Sequence, residues 1–431
     1  MIAFELLALL FIAYALLNAW QRPGLFAAVV LNSFVYSQYF GPLGIATSVA
    51  AVIVVTSVMV DRRYRQIPLE RPEWALIAWL FVMVASVLVS WRMDNALTIA
   101  SQLAIYAYAN YGMGRTFGSR PGFVRDIVIG SIVTLVLCEP ALLAASQAFS
   151  GRLSGDLNPV GTSLMVDLPL VSIPAIVMFE PTLSWRARAG LTALLLLVVI
   201  PVAVSMGTRG VFIAGGITFA VLLCYRAWFG GITRVLAWTT AILAVGGVAV
   251  TIALGFFQNS IIGLALGLSF ERLSVNFGGE TGGLVVDQSA AERVRAIHQA
   301  YELFLNAPVL GHGIGSFSYM TNNTLGYPHN TLLEILVSAG VVGLTLFLVG
   351  LVPIVWRGTK KAAQRPANWE AILTLGLFVD IFVRMQLSMS ITMGKLIFLS
   401  LGMMVAQSAA SRLASESIST VPVQPLPSTP H

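Results

Sequence analysis

Long uninterrupted apolar runs constrain this chain more than any other feature. Leu191–Val204, Val235–Phe257 and Thr331–Val355 approach or exceed the roughly 20 apolar residues that a helix needs to cross about 30 Å of hydrocarbon. In lipid every backbone polar group must bond within its own segment, so such runs must be helices. A β-barrel would show alternating strands of about ten residues, and none are seen. Only 10% of the residues are charged, against about a quarter in a soluble domain. The segment Ile2–Trp20 lacks a basic leading region and a small-residue cleavage site, so it reads as a retained helix. Cys138 and Cys224 both lie in apolar runs, which points to buried, unpaired thiols.

Candidate spans fall at 2–19, 25–40, 43–60, 74–91, 96–111, 124–147, 164–180, 189–206, 211–228, 235–258, 331–356, 369–385 and 392–409. The expected fold is an all-α integral membrane protein of about 12 transmembrane helices. Loops Asp61–Glu73, Arg115–Asp126, Glu180–Arg188, Arg226–Arg234 and Arg357–Glu370 carry 15 of the 25 Lys and Arg residues. The intervening loops carry six: Arg92, Arg152, Arg209, Arg272, Arg293 and Arg295. The first set is therefore cytoplasmic. The net charge of +6 follows from these basic loops and does not call for a nucleic-acid partner. Residues 1–410 read as one polytopic membrane domain, with a large extracytoplasmic loop at 259–330 inserted in it. Residues 411–431, rich in Ser, Pro and Thr, read as a disordered cytoplasmic tail.

The loop Asn259–Asn330 is too long for a plain connection. Ser289-Ala-Ala-Glu292 resembles a capping box, and Val294, Ile297, Tyr301, Phe304 and Leu305 follow at helical spacing. An amphipathic helix is expected from about Ala290 to Asn306, closed by Pro308, its stripe lying on the membrane surface or on other helices. Arg293 borders the stripe and Arg295 lies farther round, so Arg293 is the better candidate to point inward. Then comes Pro308-Val-Leu-Gly-His-Gly-Ile-Gly315. No strand precedes it, so its glycines serve better as turns that let backbone approach helix ends or a ligand than as a nucleotide fingerprint. Tyr327-Pro-His329-Asn-Thr331-Leu-Leu-Glu334 opens the next span, capped by a Thr331–Glu334 box or by Asn330. His329 thus sits before a helix N-terminus, where the dipole disfavours imidazolium and favours an anion nearby. A neutral histidine there is suited to a general base. The competing reading is a histidine that only satisfies local hydrogen bonds.

Arg209, in Ser205-Met-Gly-Thr-Arg-Gly210, opens a span on the same face. It either lines a wet cavity or reaches out to the membrane edge. Glu139, Asp167, Asp380, Arg384 and Lys395 fall in or near spans. Asp380 and Arg384 are four apart on one helix, which suggests an ion pair between them, with a role in the cavity as the alternative. In Gly151-Arg-Leu-Ser-Gly-Asp-Leu-Asn-Pro159, Arg152 and Asp156 could touch substrate, or the segment could be a plain turn. No Cys/His cluster with ligand spacing, no H-E-x-x-H and no nucleophile elbow is present in the sequence.

Taken together, these residues resemble the O-antigen ligase and O-antigen polymerase superfamily of bacterial inner membranes, and most of all the lipopolysaccharide O-antigen ligases. The resemblance rests on Glu292-Arg293, the P-x-x-G-x-G-x-G run 308–315, Pro328-His329-Asn330, and Gly340 and Gly343 in the following helix. Thr208-Arg209-Gly210 and Gly151–Gly161 match further elements. Ile297 stands where relatives often carry a tryptophan. The resemblance implies a GT-C-like glycosyltransferase with its active site toward the periplasm. The donor would be a glycan on undecaprenyl pyrophosphate and the acceptor the lipid A–core of lipopolysaccharide. Neither nucleotide nor metal cofactor would be needed. It further implies that His329 takes the acceptor proton while Arg209 and Arg293 bind pyrophosphate. Arg272, Arg295, Asn330, Arg152, Tyr327 and Arg384 are further candidates for substrate contact. Polymerase and lipid-linked polysaccharide transporter remain the alternatives. The oligomeric state is not indicated.

Overall fold

The computed structural model describes residues 2–33, 35–36, 43–60, 68–147, 159–205, 209–230, 288–321, 326–364 and 366–419. All regular structure among them is helical. In chain order the helices are α1 (Ile2–Leu17), α2 (Pro23–Leu31), α3 (Leu43–Val60), α4 (Arg71–Ala85, extended by a 3-10 turn to Val89), α5 (Met93–Phe117), α6 (Phe123–Gln147) and α7 (Pro159–Phe179). There follow α8 (Trp185–Leu194), which continues through a π-helical turn into α9 (Ile200–Ser205), then α10 (Arg209–Gly230), α11 (Gln288–Asn306), α12 (Ser316–Thr321), α13 (Thr331–Ala362), α14 (Trp369–Leu387) and α15 (Lys395–Ser419). The expected spans fall on these helices, the second only in part. The span at 235–258 and the loop residues 259–287 lie outside the described residues.

Among the described residues, Arg71–Val89, Gly210–Phe229 and Thr331–Ala362 are each long and apolar enough to cross a membrane. Leu6–Leu17, Ala46–Val60 and Met165–Phe179 are shorter apolar helices.

Two differences from expectation concern single elements. The last helix runs to Ser419, nine residues into the segment expected to be disordered. The stretch 411–419 has no proline or glycine to break it, and Arg412 pairs with Glu70 at its base. Residues 420–431 lie outside the described set. Cys138 is buried as expected, but Cys224 faces out from α10.

Small residues set the closest packing. α5 and α15 run parallel, with Gly114 so near the Leu399 carbonyl that a Cβ would meet it at 2.2 Å. Gly118 abuts Met403 in the same way. Helices in lipid associate through such close backbone approach. The register places Lys395, the first residue of α15, over the ring of Tyr106. α15 therefore begins about 20 Å along α5 from its N-terminal end. The turn between α14 and α15 is thus sunk below the top of the bundle.

α13 is broken at Gly340, which has φ 59° and ψ −160°. The break frees carbonyls and amides that hydrocarbon cannot satisfy. The glycine run fills it. His312 N–H donates to Val337 O at 2.7 Å, Gly313 N–H to Ser338 O at 3.0 Å, and Val341 N–H to Pro308 O at 2.9 Å. A Cβ on Gly340 would sit 2.2 Å from Val309 O, so only glycine admits the wedge. Gly311, Gly313 and Gly315 all have positive φ, which lets the wedge fold back on itself. Its far side is clasped by the α4–α5 connection. Ile314 N–H donates to Ser86 Oγ at 3.0 Å, and Ser90 Oγ donates to Ile314 O at 3.0 Å.

α11 begins at Gln288 and ends at Asn306, close to expectation. Its buried face is Ala296 and Ala300, packed with Phe317 and Val337. The small alanines allow a close approach to α13. The larger Val294, Ile297, Tyr301 and Leu305 are exposed, so most of the apolar stripe does not rest on the described helices.

Candidate active site

His329 is 6% exposed and has φ 58°, making it the one non-glycine with positive φ among the described residues. Such a backbone costs about 1–3 kcal/mol and persists where its surroundings enforce it. They do so here. Asn330 caps α13, its Oδ1 accepting from Leu333 N–H at 3.0 Å. Thr331 Oγ1 donates to Met385 O at 3.1 Å. The alternative Thr331–Glu334 box does not form. Glu334 instead accepts from Ser390 Oγ at 2.7 Å and Ile391 N–H at 2.9 Å. These contacts tie the start of α13 to the sunken α14–α15 turn.

Neither ring nitrogen of His329 has a hydrogen-bond partner among the described residues. The Ser388 backbone acts on the ring without reaching hydrogen-bond geometry. The ring of Tyr327 lies 4.3 Å from the imidazole, centroid to centroid, and Tyr327 Oη donates to Ser388 O at 3.2 Å. Burial, and then the Arg293 charge, push the imidazole down to about 4, with the Ser388 backbone acting in the opposite sense. His329 is therefore neutral at pH 7. Burial pushes the Tyr327 hydroxyl up to about 12, so it remains a donor. Buried polar atoms in native proteins are generally paired. A buried, neutral histidine with both nitrogens unpartnered does not fit the reading in which it only satisfies local hydrogen bonds.

The structure brings several predicted residues together. Tyr327, His329 and Asn330 form one turn, and Arg293 acts on both rings from α11. Gly210 lies against Ser388, where a Cβ would approach Ser388 Oγ to 3.0 Å. This places Arg209, the first residue of α10, beside the same turn. Arg295 is exposed on α11, away from the group. Arg152, Asp156 and Arg272 lie outside the described residues.

The ion pair expected within α14 is replaced by a longer-range one. Arg384 pairs with Asp167 of α7, both fully buried. Asp380 is also fully buried, and neither of its carboxylate oxygens accepts a hydrogen bond among the described residues. Helical spacing made Asp380 the nearest candidate, but α7 delivers a carboxylate that sequence separation concealed. Arg384 O accepts from Ser388 N–H at 2.9 Å, so this pair lies one turn beneath the His329 group. Lys395 is buried as well, donating to Ser33 Oγ. Sequence reasoning missed Ser388 and Ser390. Their only signal is a short polar gap between two apolar runs.

Chemically, the group offers a neutral proton acceptor at a helix N-terminus beside a guanidinium. That suits attack by a hydroxyl next to an anionic leaving group. Residues 191–348 match the family model described as O-antigen ligase. That match, over somewhat more than a third of the chain, supports the resemblance of this segment to the O-antigen ligase and polymerase superfamily. No curated protein matches the chain. The matched segment holds Arg209, α11, the glycine wedge and His329, and ends before Arg384 and Ser388. Members of the family are glycosyltransferase-like ligases and polymerases, and the family implies lipid-linked glycan substrates. Together with the apolar helices, it marks the chain as a membrane protein.

Proposed function

We propose that this protein is an O-antigen ligase of the bacterial inner membrane. It moves a glycan from undecaprenyl pyrophosphate to the lipid A–core of lipopolysaccharide on the periplasmic face. The observation that carries this reading is His329: buried, neutral, held in a strained conformation, and unpartnered at both nitrogens. In the proposed reaction His329 accepts the proton of an acceptor hydroxyl as its oxygen bonds to the anomeric carbon. The bond from that carbon to the pyrophosphate oxygen breaks, and the pyrophosphate leaves with the electron pair. One displacement inverts the anomeric centre. Arg293 and Arg209 bind the pyrophosphate, since a guanidinium matches phosphate oxygens with paired hydrogen bonds. Stabilising charge on the leaving group removes the need for a general acid. Arg272 of the outer loop and Arg152 of the 151–159 segment are further candidates for substrate contact, Arg295 is a more distant reserve on α11, and Arg384 supports the floor of the site.

About 12 spans and one large periplasmic loop complete this picture. The exposed apolar stripe of α11 lies on the outer leaflet, where lipid covers what the described helices leave open. The test is transfer by purified protein in proteoliposomes, given a defined donor and either lipid A–core or a second lipid-linked glycan. Transfer to lipid A–core supports the ligase. Transfer only to the second glycan makes the enzyme a polymerase. Movement of donor across vesicles without any transfer would overturn both readings in favour of a transporter.

A further inference from the structure

The outer end of the bundle carries a second built feature, apart from the His329 group. The indole of Trp91 and the phenol of Tyr319 stack with ring centroids 6.3 Å apart and planes inclined by 28°. Both are open, at 63% and 50% exposure. Beside them is a cavity of about 610 Å³ lined by Arg92, Asp94, Asn95, Thr98, Ser318 and Tyr319. That volume lies within the range of small-molecule sites.

The pair is assembled from distant parts of the chain. Trp91 follows α4, and Tyr319 belongs to α12. Ser316 joins them: its hydroxyl meets Ser90 Oγ at 3.1 Å and donates to His312 O at 2.7 Å. The Ser86 and Ser90 contacts with Ile314 hold the same junction. The wedge that completes α13 therefore also fixes the aromatic pair. Phe317, two residues before Tyr319, packs on Val337, about 9 Å along α13 from its N-terminus. The pair and His329 stand on one wall.

The lining selects the ligand class. Arg92 and Asp94 are paired at 2.9 Å, so the cation is offset by its neighbour and the pocket does not single out an anion. Together with Asn95, Thr98 and Ser318 it presents donors and acceptors side by side, a pattern suited to vicinal hydroxyls. The aromatic faces offer flat apolar area with polar rims. A ring that is apolar on its face and hydroxylated at its edge satisfies both requirements.

We propose that Trp91 and Tyr319, with the Arg92–Asp94–Asn95 edge, form a saccharide-binding subsite. It holds a sugar unit of one substrate's oligosaccharide away from the bond being made. This rests on the glycan-transfer reading above. Two glycans could occupy it, that of the lipid-linked donor or that of the acceptor, and the kinetics separate them.

Wild type, Trp91→Ala, Tyr319→Ala and Trp91→Phe proteins are compared in proteoliposomes, with donor and acceptor titrated separately. In the two alanine variants KM rises about tenfold for one of the two glycans, while kcat changes by less than about threefold. Trp91→Phe recovers most of the loss. The substrate whose KM moves is the occupant. In parallel, lipid-free core oligosaccharide and lipid-free donor oligosaccharide are each titrated against tryptophan fluorescence. Quenching by one of them in wild type, lost in Trp91→Phe, supports the subsite without any turnover. KM unchanged for both substrates, with no difference in fluorescence response, overturns it. Poorer membrane insertion of Trp91→Ala with unchanged KM also overturns it, and makes Trp91 an interfacial anchor. Absence of transfer by wild type with every acceptor would instead count against the ligase reading, and the fluorescence arm would still decide the subsite.

Discussion

A carboxylate cluster at one end of the bundle and His329 at the other are built in opposite ways. At the end where α4 begins and α5 ends, Arg115 Nε donates to Glu73 at 2.6 Å and Tyr111 Oη donates to the same carboxylate oxygen at 2.7 Å. Glu73 in turn accepts from the Glu70 N–H at 2.9 Å, and Glu70 binds both Arg357 and Arg412. Both carboxylates are engaged by cations, and the cluster ties α4, α5, α13 and α15 together. At the opposite end Glu334 is satisfied by Ser390 and Ile391, but neither ring nitrogen of His329 has a hydrogen-bond partner among the described residues. A satisfied network holds helices in register, whereas an incomplete one retains capacity for something that arrives later. The contrast separates polar residues that fasten the bundle from the one that, in the proposed reaction, meets the acceptor.

The sharpest way to break this comparison is to remove one member from each end. His329→Ala should lower glycan transfer by about 10²–10⁴-fold and leave the thermal unfolding midpoint of the purified protein near wild type. Arg115→Met should do the reverse. It leaves the buried Glu73 without its cation and should cost about 3–5 kcal/mol of stability, read as a lower unfolding midpoint, with near-normal turnover per folded molecule. If His329→Ala unfolds the protein, or Arg115→Met spares stability and stops turnover, the assignment of the two ends is wrong.

Gly340→Ala should cost at least about 2 kcal/mol through positive-φ strain and collision with Val309 O. It should also raise amide exchange at Gly313 and Val341, because the wedge no longer seats. Wild-type exchange at those two amides would refute that account of the break.

pH tests the electrostatics of the His329 end alone. With His329 held near 4, kcat/KM should stay level as pH falls through 6.5 and decline only toward 4, since that ratio reports the free enzyme. Bound pyrophosphate stabilises imidazolium, so the acidic limb of kcat should lie higher. The unfolded chain takes up this proton between about 6.5 and 4 while the folded protein does not, so stability also falls as pH drops through that window. An acidic limb of kcat/KM at 6.5 would contradict the buried, cation-flanked environment. The smallest effect is expected for Tyr327→Phe. Losing its 3.2 Å hydrogen bond to Ser388 O should cost about 1 kcal/mol, a decrease in turnover of less than about tenfold.

Much of this arrangement follows from local pattern. Apolar runs located the helices, and the spacing of Ser289, Val294, Ile297 and Tyr301 located α11, because both signals are carried within one element. The Asn330 cap and the position of His329 were readable for the same reason. What could not be read depends on contacts between elements. Arg384 finds Asp167 across the bundle, Ser388 meets Tyr327 only because the α14–α15 turn is sunk, and Gly340 breaks α13 only because the wedge repairs it. The stripe of α11 was visible, but not which face would turn toward α13. The alanines took that face because close approach favours small side chains.

The repaired break in α13 has a mechanical consequence. The wedge and the two halves of the helix share one hydrogen-bond ladder, with serines from the α4–α5 connection closing its far side. Prising that wall open would expose several backbone groups at once, each costly to leave unpaired in a low-dielectric setting. The wall therefore behaves as the fixed jaw of a vice. Any parting of helices that admits a lipid-borne substrate is expected at the facing side of the site, toward α10 and α7, where no such ladder crosses among the described residues.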